Sequence, residues 1–334
     1  STTAAPLSVR GSGAMCCGWH TNGLMDPLGI FLQHPKEFVV GARHDLVTRP
    51  LLGWWTRKLA VQPVVRRAEL LRGGCSEEEA MHLNGRSLLA LANGIAHGFG
   101  CVLFPEGTSH SLSHMVRFKT GPARTVLAAA ALAKANDLPL PHLVPVGLHF
   151  RRRELFRTDQ YIEFGEPIPL TDDMVPDDMV AAVKAGEWVE PPAEIVHRIR
   201  DELQARLPPM TPEAATWAEH RAVHLTAHAE ARAEGRSLAT WQEEVLAARE
   251  VRDAWPGRIP SFPPEPITGS RFDRANEAAE LLEQRGLDGR DLGPRGRVFR
   301  KASLGRLPSA IASVALFLIL PVSYTHLTLP TNSG

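Results

Sequence analysis

A histidine and an aspartate near the start of the chain have the residue types and spacing of a general base with its partner. Thr21 or Asn22 can cap the helix that the following apolar residues predict, so His20 falls in the turn before it. Asp26 can then reach back to one ring nitrogen, which residues six apart on a single helix could not do. Such an imidazole can remove a proton from an attacking hydroxyl, while the carboxylate fixes its tautomer. A helix-capping or core pair is the alternative interpretation of a lone His-Asp pair.

A second candidate site is the sharp turn in the segment CVLFPEGTSH, residues 101–110. Its apolar half predicts a buried strand that is stopped by Pro105 and Gly107. Glu106 therefore lies at the carboxyl end of that strand, where ligands bind in open parallel sheets. Gly107 lets the backbone approach a ligand closely.

Short apolar strands alternate with helical segments through the first 170 residues. Strands are predicted at 14–19, 38–40, 61–67, 101–104, 143–150 and 160–168. Helices are predicted at 76–97, where Ser76 can act as the amino-terminal cap, and at 123–136. Strands interleaved with helices indicate an α/β domain.

The composition argues against some classes of protein. The 334 residues include 37 basic and 37 acidic side chains, so a nucleic-acid-binding protein that works through bulk positive charge is not expected. The four cysteines show no CxxC motif and no metal-binding spacing. We therefore predict no metal site and no nucleic-acid partner, and a reducing compartment fits the cysteines best.

Four sequence blocks occur in the order and spacing of a known family. They are His20 with Asp26, Arg66 after the third strand, FPEGTS at 104–109 and VPVG at 144–147. Together they resemble the glycerolipid acyltransferase family, which contains glycerol-3-phosphate and 1-acylglycerol-3-phosphate acyltransferases. The resemblance implies an α/β fold with a mixed, mostly parallel sheet flanked by helices, followed in this chain by an α-helical carboxyl-terminal region.

The resemblance also implies a reaction. A fatty acyl group would pass from acyl-CoA or acyl carrier protein to a hydroxyl of glycerol-3-phosphate or 1-acylglycerol-3-phosphate in phospholipid synthesis, without a cofactor. His20 would act as the general base and Asp26 would hold its ring. No protein nucleophile is needed because a thioester is already activated, and the sequence has no GxSxG motif.

Acceptor binding is assigned by the same resemblance. Arg66 would bind the phosphate in a bidentate manner, and Lys119 in the segment FKTG is a second predicted phosphate ligand. Because a carboxylate does not bind phosphate directly, Glu106 would hold a glycerol hydroxyl or orient Arg66. The other predicted substrate-binding residues lie in the same turn as Glu106: Gly107, Thr108 and Ser109.

Two departures from the family pattern leave the acceptor open. Five residues separate His20 from Asp26, which makes an H-x5-D motif, whereas the commonest family form has four. The longer form resembles the branch that includes glycerol-3-phosphate and dihydroxyacetone-phosphate acyltransferases. Ser109 and His110 stand where most members have arginine after FPEGT, again as in that branch.

The carboxyl-terminal part of the chain has a different character. Residues 171–256 are predicted to be a helical region, with a helix at 193–207 and a solvated helical hairpin at 212–255. Three histidines of the hairpin at four-residue spacing suggest a metal site: His220, His224 and His228. A solvated or partner-facing stripe is the preferred interpretation, because no cysteine or close carboxylate cluster accompanies them.

Four segments complete the predicted domain organisation. The acyltransferase domain is predicted at 1–170, and its first motif lies so near the start that a truncated amino terminus is expected. Residues 257–307 are predicted to be a linker with one short helix at 276–285. Residues 308–322 would be part of a transmembrane segment, since about 20 apolar residues span a bilayer. Residues 323–334 resemble translated cloning sequence, a non-native tail.

A membrane surface is an expected partner, at the cytoplasmic face. Trp54 and Trp55 lie among leucines and basic residues, as is typical of a membrane interface, although a core face would explain them equally well. The basic run 151–153 would meet acyl carrier protein, coenzyme A phosphates or anionic lipid, or would simply be solvated.

Two other functions are weighed against acyl transfer. A non-catalytic lipid-binding or scaffold protein could keep the same fold and use its carboxyl-terminal helices as the working part. A metal-dependent hydrolase is suggested only by Ser109 and the nearby histidines His110 and His114.

Overall fold

The computed structural model describes residues 11–23, 25–43, 61–64, 76–155 and 158–292. The predictions for Arg66, for Trp54 and Trp55, and for residues 308–322 and 323–334 lie outside the described residues.

The described strands form one seven-stranded sheet. They are β1 (Ala14–Gly18), β2 (Phe38–Arg43), β3 (Val61–Val64), β4 (Gly100–Val102), β5 (His142–Phe150), β6 (Gln160–Phe164) and β7 (Ile168–Pro169). The order is β3-β2-β4-β1-β5-β6, and β7 also pairs with β5. Strands β1 to β5 are parallel wherever they pair, whereas β6 and β7 run antiparallel to β5. The predicted fold class, a mixed and mostly parallel sheet, is confirmed.

Eight α-helices occur in the described ranges. They are α1 (Met25–Gln33), α2 (Glu77–Ala96), α3 (Gly121–Ala135), α4 (Asp177–Lys184), α5 (Ala193–Arg206), α6 (Trp217–Ala233), α7 (Trp241–Asp253) and α8 (Ser270–Glu283). The hydroxyl of Ser76 caps α2 as predicted, accepting a hydrogen bond from the backbone N–H of Glu79 at 3.2 Å. The five helices after β7 form the predicted helical carboxyl-terminal region. Of these eight helices, none combines the length and the apolar character needed to cross a membrane.

The central strand β1 lies between two helical layers. Met15 and Cys17 pack with α2 and α3 on one face of the sheet. Cys16 packs in the opposite layer with Ile30 of α1. This alternation follows from the two-residue period of a strand. Because β1 is buried on both faces, the residues that follow Gly18 leave the sheet from a fixed position.

Helices α6 and α7 form the predicted hairpin, but the prediction that this hairpin is solvated is wrong. Trp241 is buried, and its indole N–H donates a hydrogen bond to the backbone oxygen of His149 in β5 at 3.0 Å. The carboxylate of Glu244 is also buried and accepts hydrogen bonds from Arg151 at 2.5 Å and from His224 at 3.0 Å. The charged side chains of the hairpin therefore bind the carboxyl end of β5.

The histidine stripe of α6 is likewise turned into the fold. His228 is buried. The rings of His220 and His224 lie 4.2 Å apart, and the ring of His220 also contacts that of Trp217 at 5.4 Å. Across the part of the chain that the structure describes, no group of three or more potential ligands is arranged to hold a metal ion.

Three local predictions differ from the structure in their bounds. The strand predicted at 160–168 is interrupted after Phe164 by the segment Gly-Glu-Pro, in which proline lacks the N–H of a sheet hydrogen bond. Helix α4 lies within the predicted helical region 171–256, but before the first helix predicted there, at 193–207. The short helix predicted at 276–285 begins six residues earlier, at Ser270, and its Ala279 packs against α6.

Candidate active site

Three neighbouring parallel strands bring the candidate residues to one edge of the sheet. Strand β1 pairs with β4 on one side and with β5 on the other. Strand β1 leads into the turn with His20, β4 into the turn with Glu106, and β5 into the run Arg151–Arg153. The carboxyl edge of the sheet is therefore the candidate site, as is usual in open α/β sheets.

The predicted contact between His20 and Asp26 is present. Nδ1 of His20 lies 2.9 Å from Oδ2 of Asp26, and Nδ1 carries the proton because a carboxylate only accepts hydrogen bonds. The same Oδ2 accepts hydrogen bonds from the backbone N–H groups of Thr21 and Asn22, both at 2.8 Å. Asp26 is fully buried in the first turn of α1, where the helix dipole stabilises a negative charge. The aspartate therefore both holds the turn and orients the imidazole.

The imidazole ring of His20 has one further contact. It stacks on Phe104, with ring centroids 4.0 Å apart and planes 11° from parallel. The His20 side chain is 17% exposed, and within the described ranges no group forms a hydrogen bond to its Nε2. With the proton on Nδ1, the Nε2 lone pair is available to accept a proton from a bound molecule.

Glu106 uses both carboxylate oxygens inside the protein. Its Oε2 accepts a hydrogen bond from the backbone N–H of His20 at 3.2 Å. Its Oε1 accepts one from the backbone N–H of Val116 at 2.8 Å and lies 2.6 Å from Nε2 of His110. The backbone N–H of His110 in turn donates to the His20 carbonyl oxygen at 3.1 Å. Glu106 and His110 therefore join the two turns to each other, and Glu106 is only 1% exposed.

Gly107, in the turn after Glu106, lies next to the side chain of Lys119. Gly107 has a φ of +67°, a conformation that favours glycine, and a Cβ there would lie 2.9 Å from Nζ of Lys119. The ammonium group of Lys119 therefore lies over the glycine. The backbone N–H of Lys119 donates to the Pro105 carbonyl at 2.7 Å, which fixes this crossing. Thr108 and Ser109 are exposed at the tip of the turn.

Most of the predicted site residues lie on these two joined turns. Those brought together are His20, Asp26, Glu106, Gly107 and Lys119, with Thr108 and Ser109 at the exposed tip. Arg66 is outside the described residues, so its phosphate-binding role stays a prediction.

Two contacts of the site were not predicted. The sequence suggests His110 only as a substitute for arginine or as a zinc ligand, although its position four residues after Glu106 allows the contact within the turn. Phe104 ends the apolar run immediately before the turn, and that position gave no sign that its ring supports the imidazole.

A cavity of about 290 Å³ adjoins the first turn. We call it the helix-roofed cavity, because α6, α7 and α8 close it over the carboxyl end of β5. Its wall includes Trp19, Thr21, Arg153, Trp217, Arg221 and Trp241. The carboxyl-terminal helices therefore enclose a space beside the turn that carries His20.

Several charges in this cavity neutralise each other. Burial alone would raise the pKa of Glu244, but the hydrogen bond from His224, the His228 ring 3.2 Å away and the charge of Arg151 hold this pKa well below its usual range. The ionised carboxylate therefore balances Arg151. Burial lowers the pKa of His220 well below its usual range, so the His220 ring is neutral near pH 7.

A wider groove of about 540 Å³ lies along the segment 114–118, one residue of which, Val116, binds Glu106. Met115, Phe118 and Phe262 give the groove an apolar lining, and Arg117 and Arg200 add positive charge. No residue of the His20 turn lines this groove.

Comparison with known proteins gives one matching family model and several similar proteins. Residues 5–148 match the family model described as Acyltransferase. Glycerol-3-phosphate O-acyltransferase 2 of Saccharomyces cerevisiae is 35% identical over 101 residues, which cover 30% of this chain and 13% of the yeast protein. The 1-acyl-sn-glycerol-3-phosphate acyltransferase of Streptococcus pneumoniae is 26% identical over 148 residues, which cover 44% of this chain and 47% of that protein.

The similar solved structures include an acyltransferase. The 1-acyl-sn-glycerophosphate acyltransferase PlsC of Thermotoga maritima shares 16% sequence identity and gives a TM-score of 0.37, over 61% of this chain and 72% of that one. The chain spans about an eighth of the yeast relative and about half of the streptococcal one.

Proposed function

We propose that residues 5–148, which match the family model described as Acyltransferase, form a glycerolipid acyltransferase domain, and that the chain transfers a fatty acyl group from a thioester to a hydroxyl of a glycerol-phosphate acceptor. The observation that carries the proposal is the His20–Asp26 pair, 2.9 Å apart, with the free Nε2 of the imidazole beside the Glu106 turn. Glycerol-3-phosphate and 1-acylglycerol-3-phosphate are both candidate acceptors, as the names of the two relatives suggest.

The proposed reaction uses His20 as the general base. Nε2 takes the proton of the acceptor hydroxyl while the hydroxyl oxygen forms a bond to the thioester carbonyl carbon. The resulting imidazolium is stabilised by Asp26 on Nδ1. When the tetrahedral intermediate collapses, the carbon–sulfur bond breaks and the thiol leaves with the proton returned by His20. The products are an ester and a free thiol.

The described thiols are unsuited to act as nucleophiles. Cys101, the described cysteine nearest in sequence to the Glu106 turn, is fully buried, and burial raises the pKa of its thiol to about 12. Direct attack by the acceptor hydroxyl is consistent with this arrangement, because a thioester needs no prior activation by the protein.

The donor, the remaining ligands and the location belong to the same proposal. Acyl-CoA or acyl carrier protein supplies the acyl group, at a membrane surface on the cytoplasmic face. The family resemblance assigns the acceptor phosphate to Lys119, whose ammonium group lies over Gly107, and to Arg66. Thr108 and Ser109 lie at the open side of the turn, where they can contact the glycerol part of the acceptor.

The experiment that tests the proposal measures free thiol released from acyl-CoA by the full chain, with and without each acceptor. Thiol release should depend on the acceptor, and His20→Ala should lower kcat by about 10²- to 10⁴-fold while the far-ultraviolet circular dichroism spectrum stays unchanged. His82→Ala, which removes an exposed histidine of α2, is the matched control and should keep wild-type kcat. Turnover by His20→Ala at the wild-type rate, or a folded wild-type chain with no turnover, contradicts the proposal.

A further inference from the structure

Four arginines line the helix-roofed cavity, and only two of them have a carboxylate partner in the described part of the chain. Arg151 is bonded to Glu244 at 2.5 Å, and Arg152 to Glu154 at 3.0 Å. Arg153 and Arg221 line the same cavity and form no ion pair with a described carboxylate. The positive charge of the cavity that is not balanced by a direct partner therefore comes from these last two residues.

Both unpaired arginines also have unused hydrogen-bonding capacity. Nη1 of Arg153 and Nε of Arg221 are buried nitrogens without a hydrogen-bond partner. The guanidinium of Arg153 lies over the Trp217 ring at 5.0 Å, and its Nη2 makes only a long contact of 3.4 Å with the Ser111 carbonyl. Buried N–H groups of a cation without an acceptor are costly, and a bound oxyanion would supply the missing acceptors.

The cavity is connected directly to the turn that carries the proposed base. The side-chain amide of Asn22, two residues after His20, donates to the backbone oxygen of Arg153 at 3.3 Å. Thr21 is part of the cavity wall. The ring of Trp19 lies 5.9 Å from that of Trp217, the aromatic ring under Arg153. An anion in this cavity would therefore be held next to the His20 turn.

We propose that Arg153 and Arg221 form a phosphate-binding site in the helix-roofed cavity and that they hold the phosphate of the acyl acceptor, in place of Arg66 and Lys119, to which the family resemblance assigns it. This inference rests on the proposed function and adds a substrate-binding role for the carboxyl-terminal helices, since Arg221 belongs to α6. At about 290 Å³, the cavity is at the small end of the range for small-molecule sites, which suits a glycerol-phosphate head better than a whole coenzyme A. The arginine forks fit phosphate oxygens in a bidentate manner.

The first test measures binding without turnover. Inorganic phosphate and glycerol-3-phosphate are titrated into the full wild-type chain, Arg153→Gln and Arg221→Gln by isothermal titration calorimetry. Each substitution should weaken both ligands by about 10- to 100-fold, because each removes charged hydrogen bonds. Arg236→Gln is the matched control, since Arg236 is exposed beyond α6 and paired with Glu234 outside the cavity. Phosphate affinity unchanged in both cavity variants overturns the inference.

Folding is checked separately by thermal unfolding without phosphate. If Arg221→Gln is poorly folded, Arg221→Lys serves instead, because it keeps the charge and loses only the planar fork. The affinity of Arg221→Lys for phosphate should be lower than that of the wild type, with a smaller loss than the roughly 10- to 100-fold expected for Arg221→Gln. Wild-type affinity in this variant and in Arg153→Lys also overturns the inference.

The second test identifies the source of the phosphate. In the thiol-release assay, both glutamine variants should raise KM for the acceptor by about 10- to 100-fold and leave KM for acyl-CoA unchanged. A rise confined to the KM for acyl-CoA would mean that the cavity binds a donor phosphate, which overturns the assignment to the acceptor.

The two proposals fail in different ways. Normal turnover with unaffected phosphate binding and acceptor KM in the variants removes the cavity site and leaves acyl transfer in place. Phosphate binding that is lost in both variants, in a chain without acyl transfer, removes the proposed function and keeps the anion site.

Discussion

The backbone N–H of His20 donates a hydrogen bond to the Glu106 carboxylate at 3.2 Å, although 86 residues separate the two in sequence. The other oxygen of Glu106 accepts from Val116 and contacts His110, so the carboxylate is a junction between three segments. Glu106 is 1% exposed and its oxygens are already bonded. We infer that Glu106 positions the turn of His20, whereas the sequence predicts that it holds a glycerol hydroxyl or orients Arg66.

The substitution Glu106→Gln tests this positioning role. The amide keeps the size of the side chain but puts an NH₂ group where one carboxylate oxygen accepts a hydrogen bond, so at least one buried donor loses its acceptor. We expect the free energy of unfolding to fall by about 1–3 kcal/mol and kcat to fall with it, while KM for the acceptor changes little. Urea unfolding and the thiol-release assay measure the two effects.

Glu187→Gln is the matched control for the loss of a surface carboxylate, since Glu187 is exposed after α4. It should leave both measurements unchanged. A Glu106→Gln variant of normal stability with a raised acceptor KM would return Glu106 to the substrate-binding residues.

Asp26→Asn tests the orientation of the imidazole. The Oδ2 atom accepts hydrogen bonds from the His20 ring and from two backbone N–H groups, and a neutral amide stabilises the imidazolium less well than a carboxylate does. We expect kcat to fall by about 10²- to 10⁴-fold with little change in KM. Steady-state thiol release measures both constants. Asp137→Asn, an exposed position with a positive φ that asparagine tolerates, provides the control.

The sequence predicts the position of a candidate site residue correctly where that residue lies next to a clear strand or helix pattern. The apolar run of β1 and the helix start after it placed His20 in a turn and allowed Asp26 to reach its ring, as the structure has them. Pro105 and Gly107 end the apolar run of β4, and they therefore predict the Pro-Glu-Gly turn that follows it. Neighbouring parallel strands then bring the two turns together, because the carboxyl ends of such strands meet at one edge.

The sequence was misleading where charges pair over a long distance. The sequence predicts that Glu244, like the other charged residues of α7, is exposed to solvent. Its partner Arg151 lies 93 residues away, and the local sequence pattern does not identify it. The same holds for Glu106, whose contacts with His20 and Val116 depend on how two loops cross. Hydrophobic periodicity finds faces of elements but does not identify which buried polar groups satisfy one another.

The buried ring of His34 should make the free energy of unfolding depend on pH. The ring is 6% exposed and makes edge contacts with Phe38 and Phe164, and its Nδ1 accepts a hydrogen bond from the backbone N–H of Lys36. Burial, followed by the charges of Lys36 and His142, lowers the pKa of His34 to about 4. The unfolded chain therefore binds a proton at about pH 6.5, whereas the folded chain does not until about pH 4.

The sign of the effect follows from this difference in pKa. Stability contributed by neutral His34 is fully present above pH 6.5 and is lost as the pH falls toward 4, by about 1.4 kcal/mol per pH unit. His34→Asn keeps an acceptor near the position of Nδ1 and removes the titration, so its free energy of unfolding should vary less with pH in this window. Urea unfolding at intervals from pH 7 to pH 4 measures the slope, with His82→Asn on the surface of α2 as control. Equal slopes in wild type and His34→Asn would remove His34 as a source.

Glu244→Gln tests whether the carboxyl-terminal hairpin is held to the sheet by a buried charge. The carboxylate binds Arg151 at 2.5 Å and His224 at 3.0 Å, so a neutral amide leaves Arg151 with only the exposed Asp159, at 2.9 Å. Breaking a buried ion pair typically costs about 3–5 kcal/mol, and the remaining contact to Asp159 favours the lower end. The neighbouring substitution Glu243→Gln is the control, because Glu243 is exposed and glutamine preserves its capping box. We expect Glu244→Gln alone to lower the urea midpoint. Equal midpoints for the two variants would show that hairpin docking does not depend on this charge.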